Sequence, residues 1–242
     1  MIETLSPTET LVIPSRFNGP RESGNGGYSS GAVAALIDGP AAVSLKSPVP
    51  MDRPLAVERG TDGDGDVAVR HGHALVATAR LVPELDLAVP PPVTVDEARE
   101  AARHYHGSGF DLLSRCYVCG PDREDSFGVH AAPVEGRDVV ATPWTPATWA
   151  ADDEAHVRPE HLWGVLDCPT YFGSYLRDPY TLSMLARMQA RIDAPVVAGR
   201  DHVVMAWPIA TDGRKRHAGA AILSADGEVL AVARALLIEL KR

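Results

Sequence analysis

One order of elements occurs twice in the chain: a strand-like segment, an apolar helix marked by glycine, and then several segments typical of antiparallel strands. In the first half, residues 25–39 begin with Asn25 and two glycines and end at a glycine, which predicts a buried helix. In the second half, residues 161–176 form the corresponding apolar segment. A central helix wrapped by a curved antiparallel sheet is the simplest packing for this order. The sequence therefore predicts an α+β protein of two similar halves.

Strand predictions fill most of the remaining chain. They cover residues 11–14, 41–48, 55–59, 67–82, 139–145, 194–197 continuing into 202–209, 216–224 and 229–240. Residues 181–191 are ambiguous, because their Met and Leu content favours a helix whereas their place in the repeat favours a strand. The Ser-Ala-Asp-Gly-Glu segment at 224–228 predicts a hairpin turn. Pro169 either breaks the second central helix or begins its continuation.

A Pro-rich stretch and a short helix separate the two halves. Residues 83–92 predict a linker, and residues 94–105 predict a capped helix with acidic residues early and basic residues late. We therefore divide the chain into an N-terminal half, residues 1–106, and a C-terminal half, residues 107–242. The Gly/Asp segment 60–66 predicts a turn rather than a calcium loop, because it lacks the downstream glutamate of such loops.

The overall composition excludes several classes of protein. A net charge of -9 and a pI near 5.4 argue against a nucleic-acid surface or an anionic membrane as the main partner. No apolar run approaches the roughly 18–20 residues of a transmembrane helix, and the polar, acidic N-terminus predicts no secretory signal. Three cysteines cannot all pair within one chain, which favours a reducing cytoplasm. We therefore expect a cytoplasmic protein without nucleic-acid or membrane partners.

Cys116 and Cys119 have the CxxC spacing of a zinc or redox site. A zinc site needs two further ligands, and the sequence has no second CxxC or HxxxH pair; His130 and Cys168 are the only loose candidates. A redox pair would need a thioredoxin-like strand and helix around it. We therefore predict a tight turn with small buried thiols, and neither a metal ion nor a cofactor.

Asp167 is the strongest candidate for a functional residue, because it lies inside an otherwise apolar segment. A carboxylate close to Trp163, Val165 and Leu166 costs free energy unless it is exposed, paired or used in chemistry. Either Asp167 takes part in catalysis or substrate contact, or it caps a helix or forms a salt bridge locally.

Four stretches together resemble the hotdog-fold acyl-CoA thioesterases, in a tandem, double-hotdog arrangement. They are the Cys-Tyr-Val-Cys-Gly-Pro turn at 116–121 with Phe127-Gly-Val129, the segment His161-Leu-Trp-Gly-Val-Leu-Asp167, residues 214–237, and the helix start Asn25-Gly-Gly27. Two departures occur. His161-Leu-Trp-Gly164 stands where a His-Gly-Gly or similar turn is usual, and Ala34 occupies the position at which the first half would carry an acid. The resemblance implies a double hotdog whose first half is degenerate.

The resemblance also implies which residues carry out the chemistry. In such thioesterases a backbone N–H at the start of the central helix polarises the carbonyl, and a helix carboxylate activates or orients water. Here Gly164 or Val165 would donate the N–H, and Asp167 would be the base. His161 would orient the thioester or hydrogen-bond across the subunit, unless it is only a partly exposed histidine near the helix N-cap.

Two further groups are candidates for substrate binding. Asn25, Gly26 and Gly27 either form an equivalent oxyanion turn in the first half or simply cap the helix. Arg214 and Arg216 either hold the phosphates of CoA or belong to a solvated turn. Both alternatives stay open for each group at the level of sequence.

The expected reaction is hydrolysis of an acyl-CoA or related acyl thioester by a chain that acts alone or as a homodimer. A hotdog hydratase or dehydratase is an alternative, because this fold hosts several chemistries and does not fix the function. A non-catalytic acyl-CoA-binding protein is a third possibility, because the first half has already lost the expected acid.

Overall fold

The computed structural model describes residues 9–60 and 66–241, so residues 61–65 of the predicted 60–66 turn lie outside the described residues. Within the described part, the helices are α1 (Gly26–Ala34), α2 (Val95–Ala102) and α3 (Pro159–Ser174). The strands are β1 (Thr10–Leu11), β2 (Ala41–Leu45), β3 (Leu55–Arg59), β4 (Val67–His71), β5 (Ala74–Leu81), β6 (Ala132–Pro133), β7 (Val140–Trp144), β8 (Ser183–Ile192), β9 (His202–Asp212), β10 (Lys215–Ser224) and β11 (Val229–Glu239). None of the described helices has the length and hydropathy that a membrane crossing requires.

The eleven described strands belong to one antiparallel sheet in the order β1-β3-β4-β5-β2-β8-β11-β10-β9-β7-β6. Strands from the first half of the chain occupy one side of this sheet, and strands from the second half occupy the other. β2 and β8 join the two sides by pairing residues 42–44 with residues 187–189. Main-chain hydrogen bonds therefore run continuously from one half of the chain to the other.

α1 and α3 pack against each other on one face of the sheet, and α2 covers the opposite face. Successive side chains of strand β9 point alternately into the two cores. Its residues Val204 and Ala206 belong to the core around α1 and α3, whereas Val203 and Met205 pack with the buried alanines of α2. This separation follows from the opposite directions of successive side chains in a strand.

Glycines allow α1 and α3 to approach each other closely. A Cβ atom on Gly27 would lie 2.8 Å from the Gly164 Cα atom, and a Cβ atom on Gly31 would lie 2.8 Å from the Glu160 Cα atom. Both distances are shorter than van der Waals contact, so a side chain at either position would push the helices apart. The start of α1 consequently faces the middle of α3.

Local capping signals are confirmed at two predicted helix starts. Thr94 and Glu97 form a capping box at the start of α2. Asn25 caps α1, because its Oδ1 atom accepts the Tyr28 N–H at 2.9 Å. The predicted end of the first helix was wrong: α1 ends at Ala34, and the chain continues in tighter three-residue turns before the glycine.

The strand predictions agree with the structure in most places. Residues 181–191 fall mostly in strand β8, whose pairing with β2 and β11 overrides the helical preference of its Met and Leu residues. The 67–82 segment is two strands joined at Gly72, and the turn at 224–228 joins β10 to β11 as predicted. Residues 194–197 were wrongly predicted as a strand, since their only ladder contact is an isolated bridge.

Pro169 neither breaks α3 nor begins a new helix, so both expected outcomes were wrong. An interior proline costs about 3 kcal/mol, because it removes one N–H donor and its ring crowds the preceding turn. α3 tolerates this cost because residues 161–174 are all buried, so that tertiary packing holds the helix. The Thr170 hydroxyl donates a 2.6 Å hydrogen bond to the Asp167 carbonyl beside the proline.

Candidate active site

A cavity of about 240 Å³ lies between the start of α1, the middle of α3 and strand β8, and residues 105–114 line one side of it. Its walls are mostly apolar, with contributions from Tyr171, Phe172, Leu185 and Leu237. The polar part of the lining includes Asn25, Gly26, Cys116, Cys119, Asp167 and Cys168. The cavity therefore brings together residues from both halves of the chain.

Asp167 is 7% exposed, and its carboxylate contacts the start of α1. The Oδ2 atom accepts a hydrogen bond from the Gly27 N–H at 2.8 Å. Burial raises the pKa of Asp167 to about 7; the Gly27 N–H opposes this increase, and the negative charge of Cys116 adds to it. A carboxyl group in this state can accept a proton near neutral pH.

The first turn of α1 lies beside the cavity. The Gly27 N–H binds Asp167, and the Tyr28 N–H binds the N-cap residue Asn25. The Gly26 N–H has no acceptor among the described residues, and Gly26 lines the cavity next to the Asp167 carboxylate. Because the N-terminal end of a helix carries partial positive charge, an oxygen atom that gains negative charge would be stabilised here.

Both interpretations of the Asn25-Gly26-Gly27 segment therefore have a structural counterpart. Asn25 caps the helix, as the simpler interpretation expected, while Gly26 lines the cavity and Gly27 contacts Asp167. The structure brings these three predicted residues together with the predicted acid.

The three cysteines of the chain also meet at this cavity. All three are buried and free, and their sulfur atoms lie within 4.8 Å of one another. Hydrogen bonds from the Cys119 and Cys168 thiols, followed by backbone N–H groups, hold the pKa of Cys116 well below its usual value. The predicted turn with buried thiols is confirmed, and the Gly120 N–H closes it on the Cys116 carbonyl at 2.8 Å.

His161 lies outside the cavity lining. Its side chain contacts the rings of Phe17, Tyr28, Tyr117, Phe127 and Trp149. We refer to these five rings and His161 as the aromatic cluster. Burial and, secondarily, the positive charges of Arg158 and Arg16 lower the pKa of His161 to about 4, and its Nδ1 atom has no hydrogen-bond partner. This placement does not support a substrate-orienting role, because the neutral ring is enclosed by other side chains.

Gly164 and Val165 lie in the second turn of α3, since the helix begins at Pro159 and not at the predicted His161. Only the first four N–H groups of a helix lack acceptors within the helix. The N–H groups of Gly164 and Val165 therefore belong to its hydrogen-bonded part and cannot polarise a carbonyl. Gly164 instead leaves room for the Tyr117 hydroxyl, which a Cβ atom would contact. Gly164 and Val165 are also absent from the cavity lining, whereas Gly26 of α1 is part of it.

Arg214 and Arg216 are not in the cavity lining either. The buried guanidinium of Arg216 binds Asp178 and Glu239, each at 2.6 Å, and lies over the Tyr175 ring. Arg214 donates to the Glu239 carbonyl at 2.8 Å. Arg216 also donates to the Ser174 carbonyl and so links the end of α3 to strand β11, whereas Arg214 contacts strand β11. This arrangement does not support phosphate binding at the cavity.

Two residues of the site were not predicted from the sequence as parts of it. Cys168 was considered only as a loose metal ligand, and its position directly after Asp167 was the signal that could have placed it here. Tyr105 lines the cavity and donates its hydroxyl to the Cys119 carbonyl at 2.6 Å. Tyr105 comes from the segment after α2, and no pattern in the sequence marks it.

Comparisons with known proteins identify the fold. No protein-family model matches this chain, and no curated protein matches its sequence. The structure is similar to the pyran synthase domain from module nine of the sorangicin pathway, with a TM-score of 0.64 and 16% identity over 97% of this chain and 93% of that one. It is also similar to a protein of unknown function with the hotdog fold from Alicyclobacillus acidocaldarius, with a TM-score of 0.61 and 12% identity over 99% and 96% of the two chains. A tesB protein from Mycobacterium avium subs paratuberculosis gives a TM-score of 0.55 and 12% identity over 87% and 83%. These likenesses show that the chain has the hotdog fold.

Proposed function

We propose that this hotdog protein hydrolyses an acyl-CoA or a related acyl thioester in the cavity between α1 and α3. The observation that carries the proposal is the contact between the Asp167 carboxylate and the first turn of α1. A proton acceptor and a set of positively polarised amides then share one largely apolar cavity. Thioester hydrolysis requires these two groups, together with a water molecule.

We also propose that the chain is a double hotdog with halves at residues 1–106 and 107–242. The continuous sheet, with one central helix on each side of the β2–β8 pairing, supports this division. The first half then contributes Gly26 and Gly27, and the second half contributes Asp167. The first half completes the cavity although it lacks an acid of its own, and the reaction does not need a second copy of the chain.

The proposed reaction begins with a water molecule beside Asp167. Asp167 takes a proton from this water as the water oxygen attacks the thioester carbonyl, and the Gly26 N–H donates to the carbonyl oxygen as it becomes negative. The tetrahedral intermediate then breaks its C–S bond, and the proton passes from Asp167 to the leaving thiolate. An acyl thioester and water thus give a carboxylic acid and a thiol. A general base contributes about 10²–10⁴-fold to such a rate, and one oxyanion donor about 10²–10³-fold.

The test compares thioester cleavage by wild type and Asp167→Asn over a series of acyl-CoA chain lengths. The released CoA is measured by chromatography, because the free cysteines of the protein would react with a thiol dye. We expect kcat of the variant to fall at least about 10²-fold, the lower end of the contribution of a general base. Asp138→Asn is the matched control, since Asp138 is exposed, pairs with Arg177 and lies outside this cavity. Undiminished activity of Asp167→Asn would remove Asp167 from the mechanism.

A hydratase or dehydratase is the second candidate, because the pyran synthase domain carries a differently named activity on the same fold. A 2,3-unsaturated acyl-CoA separates the two reactions. Hydration adds the mass of water and leaves the thioester bond intact, whereas hydrolysis releases free CoA. Mass spectrometry of the products distinguishes these outcomes, and binding without either product would indicate an acyl-CoA-binding protein.

A further inference from the structure

All three cysteines of the chain meet at one place, although two come from the CxxC turn and the third from α3. Their Sγ atoms lie within 4.8 Å of one another, and those of Cys116 and Cys168 are 3.6 Å apart. A disulfide bond is only about 2.05 Å long, so these thiols are not bonded to each other. Two sulfur ligands of a tetrahedral zinc ion, at bond lengths of about 2.3 Å, are about 3.8 Å apart. The cluster therefore has the spacing of a metal site.

N–H donors surround the sulfur atoms. The Asn25 Nδ2 atom lies 3.6 Å from the Sγ atoms of both Cys116 and Cys168. The Val118 N–H donates to the Cys116 Sγ atom at 3.4 Å. Asn25 is held in this orientation because its Oδ1 atom accepts the Tyr28 N–H. Hydrogen bonds of this kind orient metal ligands and tune their affinity.

We propose that Cys116, Cys119 and Cys168 bind one Zn²⁺ ion, whose fourth coordination position opens onto the cavity. Thiolate ligands suit Zn²⁺, whereas Mg²⁺ and Ca²⁺ prefer oxygen ligands. All three cysteines line the cavity, so that water or a bound ligand can reach the fourth position. From the sequence we expected no metal, because the CxxC turn lacked further ligands; the fold supplies the third sulfur from a position 52 residues away from Cys116. This site goes beyond the proposed hydrolysis, which is derived without it.

The test uses the full-length protein, purified with a reductant and a chelator, passed through gel filtration and loaded with Zn²⁺ alone. We expect about one bound zinc ion per chain by elemental mass spectrometry. Loading with Co²⁺ instead should give the near-ultraviolet absorption of thiolate-to-cobalt charge transfer together with the visible bands of a tetrahedral ion. Less than about one tenth of a zinc ion per reduced chain, or a cobalt spectrum without the thiolate band, would overturn the proposal.

Substitutions then assign the ligands. Cys116→Ser, Cys119→Ser and Cys168→Ser should each lose most of the bound zinc, whereas Ser183→Ala should retain it. Ser183 is the matched control, because it lines the same cavity and its hydroxyl contacts the Tyr175 hydroxyl and the Thr181 carbonyl. Circular dichroism shows whether each variant is folded. If a variant is not folded, the thiolate band in the cobalt spectrum of wild type is the test of cysteine ligation. Unchanged zinc content in the folded cysteine variants would exclude this site.

Two further variants separate the zinc site from the proposed hydrolysis. Asn25→Ser keeps an oxygen atom for the helix cap and removes the N–H donors, so the zinc affinity should fall about 10–100-fold. Asp167→Asn should keep its zinc while losing hydrolysis, so that the two proposals fail independently. A disulfide in the intact mass of the reduced, zinc-loaded protein would contradict the proposal.

Discussion

Two regions along α3 each contain a buried titratable group, and they differ in what surrounds it. Beside Asp167 lies a cavity, whose lining includes Gly26, the three thiols and both aromatic and aliphatic side chains. Around His161, the five rings of the aromatic cluster occupy the space. One group is accessible to a small ligand, and the other is enclosed in the core.

The two helix starts explain this difference. α1 begins with glycines after its Asn25 cap, whereas α3 begins with Pro159, Glu160 and His161. Small residues leave the amides of the first turn next to a cavity, and larger ones fill the corresponding volume with side chains. In the proposed reaction, the first half of the chain therefore supplies the amides and the second half supplies the acid.

The largest expected effect comes from Gly27→Ala, which tests whether the cavity depends on the close approach of α1 and α3. The new methyl group would lie against the Trp163 carbonyl and 2.8 Å from the Gly164 Cα atom, so the backbones of two helices would have to separate. We expect the free energy of unfolding to fall by about 3 kcal/mol, as measured by urea denaturation.

Gly26→Ala is the control for this substitution. The atoms nearest to its methyl group would be side-chain atoms, Leu185 Cβ at 3.0 Å and Asp167 Oδ2 at 3.2 Å, and not the backbone of α3. We expect the free energy of unfolding to fall by about 1 kcal/mol. The effect of this variant on substrate binding should be larger than its effect on stability. If Gly27→Ala and Gly26→Ala lower the free energy of unfolding equally, the backbone contact between α1 and α3 does not determine the stability.

An intermediate effect is expected for His161→Phe, which tests the enclosed character of the aromatic cluster. The unfolded chain takes up a proton at His161 near pH 6.5, but the folded protein does so only near pH 4. Between these values the unfolded state binds more protons, so the free energy of unfolding rises with pH. The variant lacks this contribution, and its change in unfolding free energy between about pH 4 and pH 7 should be about 2–3 kcal/mol smaller than that of wild type.

The same variant also tests the division between the two regions. Because His161 lies outside the cavity lining, kcat of His161→Phe should stay within about threefold of wild type. Urea denaturation at each pH and a steady-state assay supply the two measurements. A hundredfold loss of kcat in a stable variant would return His161 to the active site.

The smallest effect that we expect is a change in KM when the substrate lacks the phosphates of CoA. The cavity lining includes Asp111 and Asp122 and, among the described residues, no Arg or Lys. Two cations outside the lining are already engaged, Arg21 with the Asp111 carboxylate and Arg115 with the Asp122 carbonyl. KM for an acyl-CoA and for the matching acyl-pantetheine should therefore agree within about threefold. A tenfold increase in KM for acyl-CoA on Arg214→Gln would instead make Arg214 a phosphate ligand.

Short-range signals were sufficient to predict much of the fold. The capping pair Thr94 and Glu97 and the hairpin at 224–228 depend on neighbours in sequence, and both are present. Asp167 could be identified because an acid in an apolar segment is costly. Its partner could not, since Gly27 lies 140 residues away and only the packing of the two helices joins them.

The start of α3 was predicted incorrectly, although the sequence contains a signal for the correct position. A motif that begins at His161 was taken as the start of the helix, and the N–H donor was therefore assigned to Gly164 or Val165. Proline is favoured at the first position of a helix, and Pro159 occupies that position. The cysteine cluster, in contrast, has no short-range signal, because Cys168 lies 52 residues from Cys116 in the sequence and the packing of α3 places it beside the CxxC turn.

The ends of the sheet have a consequence for contacts between molecules. Within the described residues, the sheet ends on one side in β1 and on the other in β6, and each of these strands has two residues. β6 includes Pro133, which has no N–H to offer to a neighbouring strand. Such short borders are poor templates for adding a foreign strand, which protects the protein from aggregation through its sheet. A homodimer would therefore associate through side chains on its faces and not by extending the sheet from one copy into the next.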